Sequence, residues 1–236
     1  KLYFSMENLI LQQFFVFTFP ERHDHMCSYL YFSFLRGQTM DSNFFALISR
    51  MRYIARWGLM RNALPENIQE HSHMVAVLAH ALGVIRRDIF HQPCDVNALA
   101  TAALYHDASE ILTGDLPTPI KYHNAEIMSA YHAVEDLAVQ KLLGMLPPEL
   151  RETYADVLAE DKDGDIYPLV KAADKLSAYI KCIEERKAGN NEFLSAEAQT
   201  RAALEASPLP EVQYFLEHFI PAFERDLDEL GALIGE

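Results

Sequence analysis

The chain has 236 residues, half of them apolar (50%) and 23% charged, which excludes a disordered polypeptide and supplies a core for one large domain or two small ones. A formal net charge of −14, with no Lys/Arg-rich run, disfavours a nucleic-acid polymer as partner, since that binding relies on cations that neutralise phosphates. The three cysteines (Cys27, Cys94, Cys182) are widely spaced and form no CxxC pair, so neither a disulfide framework nor a thiolate zinc site is indicated, which suits a reducing cytoplasm.

Residues 1–39 differ from the rest of the chain. They carry aromatic clusters, Phe14-Phe15-Val16-Phe17 and Tyr29-Leu30-Tyr31-Phe32, without a sustained helical period. The apolar stretch Leu9 to Phe19 is broken by Gln12-Gln13 and ended by Pro20, short of the roughly 20 apolar residues of a membrane span. It also lacks the basic start and small-residue cleavage site of a secretory signal. The expectation is an atypical N-terminal extension over 1–39 and a natural domain over 40–236 that starts at Met40.

From Asp41-Ser42-Asn43, a helix-capping run, the pattern is helical almost throughout. Phe44, Leu47, Ile48, Met51 and Ile54 predict a first helix. A second spans about 68–89, with Met74, Val75, Leu78, Ala81, Leu82 and Ile85 on one face. Asp95 caps a third, with Val96, Leu99, Ala103 and Leu104 as its inner stripe, ending near Leu112. The segment Gly114 to Pro119 is expected as a loop, since it holds a glycine and two prolines. Helices follow at about 124–143, with Ile127, Tyr131, Val134, Leu137 and Leu142 aligned, and at 149–159. A loop is expected over 160–165, then helices at 167–187, 195–206 and 211–230. With no internal repeat and no strand alternation, the fold class is all-α, a globular helical bundle.

The chemistry-bearing residues stand out against these apolar faces. His106-Asp107 sits near the end of the third helix, where a carboxylate calls for a partner or a metal. Imidazole and carboxylate are common ligands of divalent ions. Glu110, four residues beyond His106 and three beyond Asp107, projects over the same patch, close to an ion without having to ligate it. His71 lies on the apolar face of the second helix with Val75, Leu78 and Leu82; a satisfied core histidine is the plain alternative. Asp174 sits in the middle of an apolar helix, where pairing with Lys171 or Lys175 is the alternative. Together these give one ligand, a doublet and one ligand from three separate helices.

Arg56-Trp57, Arg61-Asn62, Glu70-His71-Ser72, Tyr105-His106-Asp107-Ala108-Ser109-Glu110, Thr113-Gly114-Asp115-Leu116-Pro117-Thr118-Pro119, Lys121-Tyr122, Lys181-Cys182-Ile183-Glu184-Glu185 and Ala188-Gly189-Asn190-Asn191-Glu192-Phe193 follow one another along the chain. In these motifs the sequence resembles the HD-domain superfamily of metal-dependent phosphohydrolases, and within it the bacterial 5′-deoxynucleotidase (YfbR-like) family, over about residues 41–230. The resemblance implies an HD-type bundle that hydrolyses deoxyribonucleoside 5′-monophosphates, a phosphoric monoester hydrolase. It implies His71, His106, Asp107 and Asp174 as metal ligands, Glu110 and Asp115 as catalytic carboxylates, and Arg56, Trp57 and Asp115 as substrate-binding residues. It further implies one divalent ion (cobalt, manganese or copper, with zinc or magnesium as alternatives), a nucleotide as small-molecule partner, no membrane, a homodimer and a cytoplasmic location.

These roles are chemically coherent. Arg56 offers planar paired donors to a phosphate, though a surface Arg is its plain reading. Trp57, the one Trp of the sequence, can crowd out a 2′-hydroxyl or simply pack in the core. Asp115 can equally serve the turn after Gly114. Two other functions share the ligand set: cleavage of a cyclic or bis-phosphorylated nucleotide by a phosphodiesterase or pyrophosphohydrolase, and a non-catalytic metal- or nucleotide-sensing module. The Arg56-Trp57 pair and the 114–119 loop argue against the first, and Glu110 against the second, because a sensor needs no general acid or base.

Overall fold

The computed structural model describes residues 41–121, 123–159 and 164–231, so the expected extension over 1–39 and most of the expected 160–165 loop lie outside the described residues. The described chain is all-α. Its helices are α1 (Phe44–Ile48), α2 (Ile68–Val84), α3 (Val96–Tyr105), α4 (Glu110–Thr113), α5 (Thr118–Lys121), α6 (Ala125–Gly144), α7 (Pro148–Leu158), α8 (Tyr167–Lys187), α9 (Leu194–Glu205), α10 (Pro210–His218) and α11 (Ile220–Phe223).

Two apolar clusters hold these elements. In the larger, Val75, Leu78, Ala79 and Leu82 of α2 meet Leu99 and Ala103 of α3, Leu169, Ala173, Leu176, Ile180 and Ile183 of α8, Leu204 of α9 and Phe215 of α10. In the smaller, Phe44 packs with Ala108, Leu142, Leu146 and Leu158. The close approach of α2 to α3 depends on Gly83: a Cβ there would lie 3.0 Å from Leu99 Cδ2 and 3.3 Å from Val96 Cγ2.

Side-chain caps fix the starts of α2, α3 and α6, but not that of α1, where Asn43 of the expected capping run makes no cap hydrogen bond. Asn67 accepts from the backbone N–H of Gln69 and Glu70 at 3.1 Å, which fixes the first turn of α2 and with it His71. Asp95 caps α3 as expected, accepting from Ala98 N at 2.9 Å. Asn124 caps α6 through Ile127 N at 2.8 Å.

Several expectations change. The first helix is short: after Ile48 the chain tightens into a 3-10 turn (Ser49–Tyr53), and Ile54 is extended. The second ends its α-helical part at Val84 and continues as a π turn over Ile85–Ile89. The third stops at Tyr105. Beyond it, i→i+3 bonds from Ala108 N to Tyr105 O (2.9 Å) and Glu110 N to Asp107 O (3.0 Å) replace the α-helical ladder before α4 begins. The 114–119 loop closes early, because Pro119 sits in the first turn of α5, where a missing N–H costs nothing. The last expected helix is split, with Pro221 near the start of α11.

Four aligned apolar residues are exposed rather than buried: Met74 (36%), Leu104 (43%), Val134 (50%) and Leu137 (55%). Met74 and Leu104 each follow or precede a core residue by one position, a rotation of about 100° away from the inner face. On α6 the buried stripe is instead Ala138, Leu142 and Leu143.

Residues 61–64, which lead towards α2, are fastened to the C-terminal part of α8. The Glu185 carboxylate accepts from Ala63 N (2.8 Å), Leu64 N (3.0 Å) and Asn190 Nδ2 (2.8 Å), and pairs with Lys181. Lys181 also donates to the Leu64 carbonyl, and Asn190 Nδ2 donates to Arg61 O at 2.7 Å. Both members of the ion pair are buried, so every partner matters. Burial pushes the Glu185 carboxyl up, but the hydrogen bonds from Lys181, Asn190 and the two backbone amides prevail and hold it at about 2, against 4.5 ordinarily.

The depressed value sets the sign of the pH dependence. Glu185 stabilises the fold above pH about 4.5, and the contribution is lost as pH falls towards about 2. Glu185→Gln is expected to cost roughly 3–5 kcal/mol at neutral pH. Urea unfolding followed by circular dichroism should show the wild-type advantage shrinking on acidification through that window. Parallel pH profiles for the two proteins would contradict this.

Candidate metal centre and substrate loop

Three elements bring the candidate ligands together. His71 stands in the first turn of α2, fully buried; His106 and Asp107 occupy the 3-10 turn after α3; Asp174 lies on α8, one helical turn before Ser177. Ligand atoms of His71, His106 and Asp174 lie within 4.8 Å of one another. His71 Nε2 is 3.0 Å from Asp174 Oδ1 and 3.6 Å from Asp107 Oδ2, and His106 Nε2 is 3.2 Å from Asp107 Oδ1.

The outer nitrogens of both imidazoles are tied down. His106 Nδ1 is 2.8 Å from Ala103 O, and a carbonyl can only accept, so Nδ1 carries the proton and Nε2 faces the centre. His71 Nδ1 is 3.1 Å from Ser177 Oγ. His106 Nε2 is buried and without a hydrogen-bond partner: with the proton on Nδ1 it can only accept, and the Asp107 oxygen beside it is an acceptor too. Two imidazole nitrogens aimed at two carboxylates form an acceptor-rich cluster, and such a cluster fits a divalent cation held by nitrogen and oxygen donors.

Electrostatics sharpen the picture. Burial opposes ionisation of Asp107, but the His106 and His71 imidazoles and the Arg56 guanidinium outweigh it and hold the carboxyl well below its ordinary range. Asp174 behaves alike: burial is overcome by its bond to His71 and by the charges of His71 and His106. Burial likewise works against charge on His106, yet Asp107 and Asp174 raise its pKa overall.

Glu110 opens α4 beside this cluster and is 7% exposed, with Oε2 buried and without a hydrogen-bond partner. Burial, followed by the Asp107 and Asp115 carboxylates, pushes its pKa to about 10, so the group carries a proton at neutral pH. Asp115, in the Gly114 loop, is raised in turn by burial and by Asp107, against the pull of Arg56 and of the Trp57 backbone N–H that it accepts. Gly114 has φ +75°, which frees the chain to turn there.

Arg56 and Trp57 lie on the loop between α1 and α2. Arg56 Nη1 is 3.5 Å from Asp107 Oδ2, and its Nε is 3.2 Å from Glu66 Oε2. Trp57 has φ +58°, a conformation a bulky residue adopts at a cost of about 1–3 kcal/mol. Its carbonyl accepts from Met60 N at 2.8 Å, its indole N–H donates to Glu66 Oε2 at 2.9 Å, and its ring meets Phe193 edge-on at 5.3 Å. Every residue singled out in the sequence therefore falls in one neighbourhood.

Other residues there were given no role from the sequence. Ser177 follows Asp174 by one helical turn, a spacing that could have marked it. The Ala103 carbonyl and Glu66 carry no sequence signal. Lys121 Nζ pairs with Glu135 Oε1 at 2.9 Å and sits 4.5 Å from the Tyr131 ring centre, its charge opposing the upward shift of Glu110.

Known proteins are similar to this chain. A family model described as 5′-deoxynucleotidase YfbR-like matches residues 43–223. A 5′-deoxynucleotidase YfbR of Shigella boydii is 50% identical over 192 residues, covering 81% of this chain and 96% of the relative. One of Escherichia coli matches with the same identity and coverage, 50% over 192 residues. Among solved structures, an HD-domain phosphohydrolase of Listeria innocua superposes with TM-score 0.68 at 24% identity, covering 77% of this chain and 88% of its own. A protein of Pyrococcus horikoshii superposes with TM-score 0.59 at 21% identity, over 78% of this chain and 98% of its own, so both share the fold. With its helical fold and the matched span, the chain belongs to the YfbR-like 5′-deoxynucleotidase family.

Proposed function

We propose that this protein hydrolyses deoxyribonucleoside 5′-monophosphates to deoxynucleoside and phosphate, with one divalent cation held by His71, His106, Asp107 and Asp174. The observation that carries this reading is the convergence of His71, His106 and Asp174 within 4.8 Å, with Asp107 3.2 Å from the unpartnered His106 Nε2. Family membership and the 5′-deoxynucleotidase names of its relatives support the substrate class.

A bound cation supplies charge that stabilises the phosphoryl oxygens and lowers the pKa of coordinated water. The remaining work belongs to the chain. Arg56 receives the phosphate through its planar donors, its charge paired with Glu66 at 3.2 Å and Asp107 at 3.5 Å. Glu110, protonated through burial and its acidic neighbours, donates a proton to the leaving 5′-oxygen. Trp57 lies against the sugar and leaves no space for a 2′-hydroxyl. Asp115 holds the Trp57 backbone N–H and contacts substrate. The metal is cobalt, manganese or copper, with zinc or magnesium as alternatives.

The reading also includes a cytoplasmic location and a homodimer. Free thiols at Cys94 and Cys182 support the first. Val134 and Leu137, exposed one turn apart on α6, support the second. Among the described residues no helix is long and apolar enough to cross a membrane.

After chelation and addition of manganese or cobalt, phosphate release should occur from several deoxynucleoside monophosphates, with a preference over ribonucleotides of about 10²-fold or less. Equal rates on the two sugars would remove the role of Trp57, and release from cyclic dinucleotides alone would replace the proposed reaction. Glu110→Gln should lower kcat about 10²–10⁴-fold while leaving the urea midpoint at or above the wild-type value. A variant with wild-type kcat would show that Glu110 supplies no proton.

A further inference from the structure

We propose that Glu66 is the positioning residue that locks the phosphate grip of Arg56 to the sugar contact of Trp57, and thereby sets discrimination between deoxyribose and ribose. The inference rests on the nucleotidase reading.

The geometry is specific. Arg56 N donates to Glu66 O at 3.0 Å and Ile68 N to Ile54 O at 3.0 Å, flanking an antiparallel bridge between Ala55 and Asn67. This short pairing lays the backbone of Glu66 directly opposite Arg56. In an extended segment successive side chains point to opposite faces, so Arg56 and Trp57 would diverge. The positive φ of Trp57 reverses that tendency and turns both side chains towards one group.

That group is a single oxygen. Glu66 Oε2 accepts from the Trp57 indole N–H at 2.9 Å and pairs by charge, without a hydrogen bond, with the buried Arg56 Nε 3.2 Å away. The side chains of Arg56 and Glu66 are only 14% and 15% exposed, so water competes weakly for either contact. The opposite end of Arg56 reaches Asp107 at 3.5 Å, and the opposite edge of Trp57 leans on Phe193. Glu66 thus closes a chain from the candidate metal ligand Asp107, through the guanidinium, to the indole. In a nucleoside 5′-monophosphate the phosphate and the sugar are joined through one carbon, so the distance between their two contacts must be held constant. A change in the indole position alters the room beside C2′, while a change in the guanidinium alters phosphate binding.

Trp57 is the one Trp of the sequence, so intrinsic fluorescence reports its position without labelling. In Glu66→Ala, red-shifted emission and stronger acrylamide quenching are expected. The ratio of kcat/KM for deoxy- over ribonucleotides should fall about tenfold, with KM rising more than kcat falls. Glu66→Gln keeps an oxygen for the indole N–H and should restore quenching and sugar ratio while KM stays raised. Unchanged emission, quenching and ratio in a folded Glu66→Ala would overturn the proposal. If that variant loses its helical circular dichroism, Glu66→Asp carries the test, because it keeps the charge and withdraws the carboxylate by one methylene. Displaced fluorescence and a reduced ratio are then expected; wild-type values, or loss of helix in both variants, overturn it. A wild-type protein that releases no phosphate from any deoxynucleotide would sink the nucleotidase reading alone, since fluorescence still judges whether Glu66 holds Trp57.

Discussion

Buried charge must be compensated, and the arrangement around Asp107 depends on that constraint more than on any apolar contact. Asp107, Asp174, Glu110 and Asp115 crowd one region, with Arg56 as the guanidinium among them. Acidic groups at such proximity share protons, recruit a cation, or do both. Here the two strategies are separated in space. Asp107 and Asp174 face imidazoles and stay ionised, while Glu110, one turn away and without a hydrogen bond at Oε2, keeps its proton. Under the proposed function, ionised candidate ligands beside a neutral acid divide the labour: one set to hold positive charge, another to deliver a proton.

The helices serve this arrangement by fixing what each imidazole can do. Ala103, in the last full turn of α3, offers its carbonyl to His106, and Ser177 on α8 offers its hydroxyl to His71. Each ring is thereby oriented by the same packed core that stabilises the fold. The loop between α1 and α2 is anchored by different means. Its later residues are bound to the buried Lys181–Glu185 pair, and its earlier ones are strained at Trp57 and caught by Glu66 and Asp115. A strained residue held from several sides is a fixed wall rather than a mobile flap, which suits the sugar contact proposed for Trp57.

Much of this was legible in the sequence because burial leaves periodic traces. The long helices α2, α6 and α8 and the cap at Asp95 follow directly from apolar spacing and a side-chain oxygen. His71 declared itself by lying on the same face as Val75, Leu78 and Leu82. The interruption after Tyr105 was hidden, because residues 106–109 have no proline or glycine and only the i→i+3 bonding reveals the turn. The outward tilt of Val134 and Leu137 was hidden too, since periodicity marks an apolar face but not what covers it. Glu66 was invisible for a further reason: its role arises from a bridge between two irregular segments, and neither segment has a repeating pattern.

Both the chemistry and the substrate contacts require that the His71, His106, Asp107 and Asp174 side chains form a single cation site. Isothermal titration of manganese into chelator-stripped protein measures it without reference to any substrate. One ion per chain is predicted, with affinity lowered about 10²-fold or more in Asp174→Asn while helical circular dichroism is retained. No saturable binding, or equal affinity in the wild type and the variant, would contradict the claim.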